Sequence, residues 1–134
     1  MSPSPYRGRA PAPVRTIDMN RSVGFAMRVL SEPGDEALLV LDTLRDGAVV
    51  GLLTQRDIFR AIASEGPEIV DKCVWLITPH DFVSIDANAN AEETLRRFCE
   101  RKVDHVAVMD GVRVVSILNI WDCVNDAAAP AARP

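Results

Sequence analysis

The chain has 134 residues, 48% hydrophobic and 25% charged, with a formal net charge of −4. That composition fits a globular protein with its own core, one domain or two intimate halves. The negative balance disfavours a nucleic-acid surface, and no apolar run is long enough to cross a bilayer.

Residues 1–13, MSPSPYRGRAPAP, are rich in proline and poor in core formers, so they read as a disordered tail. They lack the apolar core of a secretion signal, and a cytoplasmic setting is expected. Arg7 and Arg9 are either solvated or a contact for an acidic partner. A short strand is expected over 14–17, then a helix capped by Ser22 with Val23, Ala26, Met27 and Leu30 on one face. Pro33-Gly34 stops that helix. A buried strand over 37–41 and a loop around 43–46 lead to Ala48-Val49-Val50-Gly51-Leu52-Leu53, which also reads as a buried strand. Thr54 then caps a helix in which Ile58 and Ile62 repeat at helical spacing. The turn presents Thr54, Arg56 and Asp57 at a helix N-terminus, whose unpaired N–H donors and positive dipole end suit an anion such as phosphate. Taken alone, Thr54-x-x-Asp57 is equally a capping arrangement with an acid near the helix start.

Residues 65–80 read as a connector, with Gly66-Pro67, a short helix near 69–75 and Thr78-Pro79. Trp75 either lies as a lid over apolar surface or stacks on a ligand base. The pattern then restarts. A strand is expected over 82–85, followed by a helix capped by Asn90, with Glu93 at the capping-box position and Ala91, Leu95 and Phe98 along it. A strand over 106–109, a second strand and the turn Ser116-Ile117-Leu118-Asn119-Ile120-Trp121-Asp122 complete it; 127–134 read as another disordered tail. Three scattered cysteines, Cys73, Cys99 and Cys123, fit reduced thiols, and Cys99 and Cys123 are expected as small buried hydrophobes within helices.

The restart is an internal repeat. Residues 15–42 align with 83–110 at a shift of 68, with Ile17/Ile85, Asp18/Asp86, Asn20/Asn88, Arg28/Arg96, Glu32/Glu100, Val40/Val108 and Asp42/Asp110 identical. Average composition supplies only about two such matches. Beyond a three-residue longer loop in the first copy the shift becomes 65, and Val49/Val114, Val50/Val115, Leu53/Leu118 and Asp57/Asp122 match. Each half is therefore expected to be β-α-β-β-α.

Halves of this pattern, each closing in a Gly-x-x-Thr/Ser-x-x-Asp-like turn, resemble a tandem pair of cystathionine β-synthase (CBS) domains, also called a Bateman module. Gly51-Leu52-Leu53-Thr54-Gln55-Arg56-Asp57 fits the family motif in full. Ile77-Thr78-Pro79-His80 is similar to the Met-Thr-Pro stretch that opens a second CBS domain. Asp104-His105-Val106-Ala107-Val108-Met109-Asp110 is similar to the strand before the second motif. The likeness divides the chain into a first domain over 14–64, the connector 65–80 and a second domain over 81–126. It implies an α/β (α+β) fold of two pseudo-symmetric halves packed through their sheets, assembled as a disc-like homodimer. It also implies clefts for an adenosine-containing ligand: AMP, ADP, ATP, NAD or S-adenosylmethionine, with no cofactor required. The motif aspartate takes the ribose hydroxyls, the Thr/Ser side faces phosphate, and the base lies against the opening strand of the opposite half. Carried onto this chain, one site holds Thr54, Arg56 and Asp57 with Val83, Ser84, Ile85 and His105. The mirror site holds Arg15, Thr16 and Ile17 with Asn119 and Asp122.

The chemistry is coherent, because a carboxylate only accepts hydrogen bonds and can hold two vicinal hydroxyls, while Arg56 and a protonated His105 favour phosphate. His105 equally reads as a residue that satisfies its nitrogens at a strand start. The mirror site departs from the motif: Ser116 replaces the glycine that allows close backbone approach, Asn119 replaces Thr/Ser, and Trp121 stands where the first copy has Arg56. Ala37 matches His105, and the acidic pair Asp35-Glu36 precedes it. One competent site, that of Asp57, is expected, or a ligand of little charge in the other.

No HExxH, CxxC or nucleophile-elbow pattern is present, and Cys73, Cys99, Cys123 and His80 match no zinc framework, so catalysis is not expected. The expected role is a regulatory sensor of adenine nucleotides acting on a separate effector protein, without nucleic acid or membrane. The competing reading is a ligand-silent module for dimerisation or docking. Apolar helix surface around Phe59 or Phe98 would be covered by association in either case.

Overall fold

The computed structural model describes residues 14–33, 36–121, 123 and 124. Arg7, Arg9, the Gly34 helix stop, Asp35, Asp122 and the tail 127–134 lie outside the described residues. Two compact units form, Val14–Phe82 and a second beginning at Val83.

In the first unit β1 (Thr16–Asp18), α1 (Val23–Leu30), β2 (Ala37–Asp42), β3 (Ala48–Thr54) and α2 (Gln55–Glu65) follow in order. The sheet runs β1-β2-β3, with β1 parallel and β3 antiparallel to β2. A parallel pair needs a crossover, which α1 supplies, whereas β2 and β3 need only a hairpin. The second unit repeats this with β4 (Ser84–Asp86), α3 (Ala91–Arg101), β5 (His105–Asp110) and β6 (Arg113–Asn119), and residues 120, 121, 123 and 124 are helical. The two opening strands begin later than the sequence suggests, at Thr16 and Ser84.

The repeat is reproduced in the hydrogen-bond register. Thr16 pairs with Leu39 and Ser84 with Ala107, and both sheets shift register at matching points, Val40/Leu41 and Val108/Met109. The identities Asp18/Asp86 and Asn20/Asn88 have a local cause. The Asn20 N–H donates to Asp18 Oδ2 at 3.0 Å and the Asn88 N–H to Asp86 Oδ1 at 2.8 Å, closing the same Asx turn after each opening strand. Asp18 also accepts from Thr43 Oγ1 at 2.7 Å and from the Thr43 N–H at 3.3 Å, tying the longer first hairpin to β1. These bonds, that of the Thr43 hydroxyl foremost, hold the Asp18 carboxyl below its ordinary pKa. The shorter β5–β6 hairpin turns through Gly111 and Val112, with a φ of 63° at Gly111 alone, the primed-turn geometry that matches strand twist.

In the first unit Ile17, Val23, Ala26, Leu30, Leu38, Val40, Leu53 and Ile58 build the core. Ser22 Oγ accepts from the Phe25 N–H at 3.0 Å, as its capping role requires. The segment 65–80 is part of this unit. The expected helix near 69–75 is instead two 3₁₀ turns, Pro67–Asp71 and Val74–Leu76. Strand-like bonds between them and the start of α1 (Val23 N–H to Lys72 O, Val74 N–H to Arg21 O, each 2.8 Å) fix the segment in place. Ile69 and Val74 enter the core, while Trp75 stays 43% exposed. Gly51 is explained by the same segment. A Cβ there would overlap the Pro79 carbonyl oxygen and come within 2.8 Å of Thr78 Cγ2. The glycine thus admits a crossing backbone of its own unit, with Thr78 Oγ1 donating to Val74 O at 2.7 Å beneath it.

The second core is smaller and centres on Phe98, Val106, Val108, Leu118 and Cys123. Two expectations are corrected here. Phe98 is only 1% exposed, so it supports the core rather than offering surface for association. Cys99, one residue on, is rotated about 100° around α3 and is exposed, whereas Cys123 is buried as expected. Asn90 Oδ1 caps α3 by accepting from the Glu93 N–H at 2.9 Å.

Candidate functional site

The β3–α2 turn holds the first set of motif residues. Thr54 ends β3 paired with Ala37, and α2 starts at the next residue. Asp57 Oδ2 accepts from the Thr54 N–H at 2.8 Å and from Thr54 Oγ1 at 2.9 Å, while the Asp57 N–H donates to Thr54 Oγ1 at 3.3 Å. This reciprocal capping box satisfies donors that a helix start otherwise leaves open. It also fixes the carboxylate. Oδ1 takes no hydrogen bond among the described residues and retains its acceptor capacity. Asp57 and Thr54 are half-buried, and Arg56 is exposed beside them.

The first unit also carries Arg15, Thr16 and Ile17. Arg15 O accepts from the Leu39 N–H at 2.9 Å, Thr16 is exposed, and the Ile17 side chain belongs to the core at 5% exposure. The second unit carries the matching set. Val83 O accepts from the Ala107 N–H at 2.9 Å, and the Val83 side chain is buried at 4%. Ser84 and Ile85 are half-buried, and His105 lies opposite Asn119 across the β5–β6 pair. That pairing is the repeat image of Ala37 opposite Thr54. Trp121, matching Arg56, is 67% exposed, and Asp122 lies outside the described residues.

Two hollows adjoin these residues. In the second unit one of about 410 Å³ is lined by Ser84, Ile85, Asp86, Asn88, Ala89, Glu93 and Arg97. In the first unit a groove of about 510 Å³ starts at Asp57 and runs along α2 past Arg60, Ala61, Ser64 and Glu65, faced by Ile69, Lys72, Leu76 and Ile77. Sequence reasoning passed over Arg60, Ser64, Glu65 and Lys72. Spacing alone could have flagged Asp57, Arg60, Ser64 and Glu65 as one polar helix face, but Lys72 enters only through the fold of the connector. Among the described residues no helix is long and apolar enough to cross a membrane, and no cluster of three or more His, Cys, Asp or Glu could hold a metal ion.

Comparison with known proteins places this architecture. The CBS domain profile matches residues 10–64, the half with the intact Gly51-to-Asp57 motif. A CBS domain-containing protein of Arabidopsis thaliana is 24% identical over 112 residues, which are 84% of this chain and 20% of that protein. The chain thus spans about a fifth of the length of the curated relatives it matches. A CBS domain pair crystallised with 5′-methylthioadenosine and S-adenosyl-L-methionine shares the fold, with a TM-score of 0.72 at 23% identity over 84% of this chain and 90% of that one. A solved CBS domain is 32% identical, with a TM-score of 0.77, over 87% of this chain and 88% of its own. With that identity across nearly the whole of both chains, and with the duplicated strand register already seen, the chain belongs to the CBS domain family.

Proposed function

We propose that the protein is a regulatory module that binds an adenosine-containing ligand and transmits its presence to a separate effector protein. The observation that carries this reading is the Thr54–Asp57 turn. Its capping box anchors one carboxylate oxygen and leaves the other able to accept from vicinal ribose hydroxyls. The ligand-binding set is Thr54, Arg56 and Asp57 with Val83, Ser84, Ile85 and His105; Arg15, Thr16, Ile17, Asn119 and Asp122 form a degenerate counterpart. Ser84, Ile85 and the Val83 backbone supply this set, since the Val83 side chain is committed to the core. The CBS pair that binds methylthioadenosine and S-adenosylmethionine lends support, because it shares this fold. AMP, ADP, ATP and NAD belong to the same chemical class. No catalytic role is assigned, and a cytoplasmic setting is part of the proposal. Phe59, 77% exposed on α2, is the surface on which a homodimer would form.

One observation favours the ligand-silent docking module: capping alone explains why Thr and Asp stand at these positions. Calorimetric titration with AMP, ADP, ATP, NAD and S-adenosylmethionine separates the two readings. The sensor reading expects binding with one site per chain for charged ligands, lost about tenfold or more in Asp57→Asn, since bonds to a charged group contribute about 1.5–3 kcal/mol. Binding of none of the five leaves the docking module.

A further inference from the structure

The corner between opening strand and first helix is built twice in this chain, and the two copies differ. In the first unit it is filled. The Arg21 guanidinium lies 3.7 Å from the centroid of the Phe25 ring. Both Asp18 oxygens are engaged, Oδ2 by the Asn20 N–H at 3.0 Å and Oδ1 by the Thr43 hydroxyl at 2.7 Å. The second copy keeps the aspartate and its turn, with the Asn88 N–H donating to Asp86 Oδ1 at 2.8 Å. At the shift of the repeat, however, Ala89 stands for Arg21 and Glu93 for Phe25, and Gly111 follows Asp110 where Thr43 follows Asp42. A guanidinium, a ring and a hydroxyl are missing together, and a hollow of about 410 Å³ lies against Asp86, Ala89, Glu93 and Arg97.

What remains there is acceptor capacity without a donor. Asp86 Oδ2 takes no hydrogen bond among the described residues. Asn90 Oδ1 accepts from the Glu93 N–H at 2.9 Å, but the Glu93 carboxylate makes no reciprocal bond of the kind Asp57 makes to Thr54. Arg97 stands at i+4 from Glu93, the spacing of a helical ion pair, yet among the described residues the two form none. Two carboxylates against one guanidinium leave the hollow net negative. An arginine side chain from outside restores what the first copy supplies from within. Its planar fork can take Glu93 and Asp86 Oδ2 together, which the point charge of a lysine does less well, and its methylene stem suits Ile85 and Ala89. A bare metal ion is less well served, because Arg97 lines the same space. We infer that the hollow between β4 and α3 receives an arginine side chain from a basic segment of a partner protein, a contact that calls on neither Asp57 nor a nucleotide.

The test follows the backbone amides of the isotope-labelled full chain by NMR while a capped peptide, acetyl-Gly-Arg-Gly-amide, is added into the millimolar range. Saturable shifts are expected at Ala89, Glu93 and Arg97. The same peptide with citrulline keeps the shape of arginine without its charge and should give no saturable shift. The lysine peptide should bind at least about threefold more weakly. Glu93→Gln should weaken the arginine peptide about threefold to tenfold, the range for a charge-assisted bond at a partly exposed site. Ala89→Arg combined with Glu93→Phe writes the filling of the first unit into the second and should abolish the shifts. Should that double variant misfold, the single Glu93→Gln change at an exposed position still decides. Equal binding of the arginine and citrulline peptides, saturation unmoved by Glu93→Gln, or no saturable shift with any peptide would overturn the assignment. Tighter binding of the lysine peptide, or of calcium ions, at the same amides would give the hollow a different occupant and overturn it equally.

Discussion

Replacing Asp57 with alanine removes the acceptor for two Thr54 donors, the N–H at 2.8 Å and the hydroxyl at 2.9 Å. The Thr54 N–H then loses its partner at a half-buried strand–helix junction, and the acid at the positive helix end disappears. A cap substitution costs about 1 kcal/mol, the dipole contribution is about 0.3–1 kcal/mol, and partial exposure keeps the charged bonds well below their buried value. The expected loss is therefore about 1–2 kcal/mol, or about 3–8 °C in Tm for a chain of this size. Reversible urea unfolding without ligand measures it directly. Asp57→Asn should lose less, since an amide oxygen can still take the Thr54 N–H. A cycle with Thr54→Val should give a coupling of about 0.5–1.5 kcal/mol, because the two side chains share the box. A loss in Asp57→Ala below about 0.5 kcal/mol, the range of ordinary surface changes, would refute the capping argument. It would also reassign the acid at this position entirely to ligand.

Gly51→Ala should destabilise by about 2–3 kcal/mol or abolish folding, because the added methyl overlaps the Pro79 backbone; a melting temperature within 2–3 °C of the parent, about 1 kcal/mol at this size, would contradict that crossing. Lys102 caps α3 at a φ of 53°, so Lys102→Gly should stabilise by about 0.5–1 kcal/mol, the relief of left-handed strain less the entropy of glycine; chemical denaturation reads the sign. Asp18 should titrate below the ordinary aspartate range near 3.9. Its contribution is present above that value and is lost as pH falls through its lower folded pKa. Thr43→Val should move an NMR-observed Asp18 midpoint upward, and an unchanged midpoint would remove the assigned cause. Phe59→Glu should shift the light-scattering mass from dimer to monomer at micromolar concentration, whereas a parent chain already monomeric there rules the homodimer out.

Much of the fold is written in short-range pattern. The two shifts of the repeat, 68 and 65, are the offsets of the strand registers, and the position where they change is the extra 3₁₀ turn Thr43–Arg45 in the first hairpin. Ser22, Thr54 and Asn90 were legible as caps because a cap is decided by residues three apart. The Asp18 and Asp86 turns were visible as identities, although their cause was not.

What the tertiary structure decided involves segments far apart in the chain. The motif glycine reads from sequence as a point of close backbone approach; only the fold shows that the approaching backbone is that of Pro79 in the same unit. Phe98 and Cys99 are neighbours in sequence with opposite fates, because the facing sheet selects which side of α3 is covered. The connector showed no strong period of its own, since 3₁₀ turns are too short to display one, and hydrogen bonds to the start of α1 hold it. Those bonds place Lys72 among the residues that line the groove along α2. Local periodicity determines which elements form, while the crossing of distant backbones determines which side chains are left lining a groove.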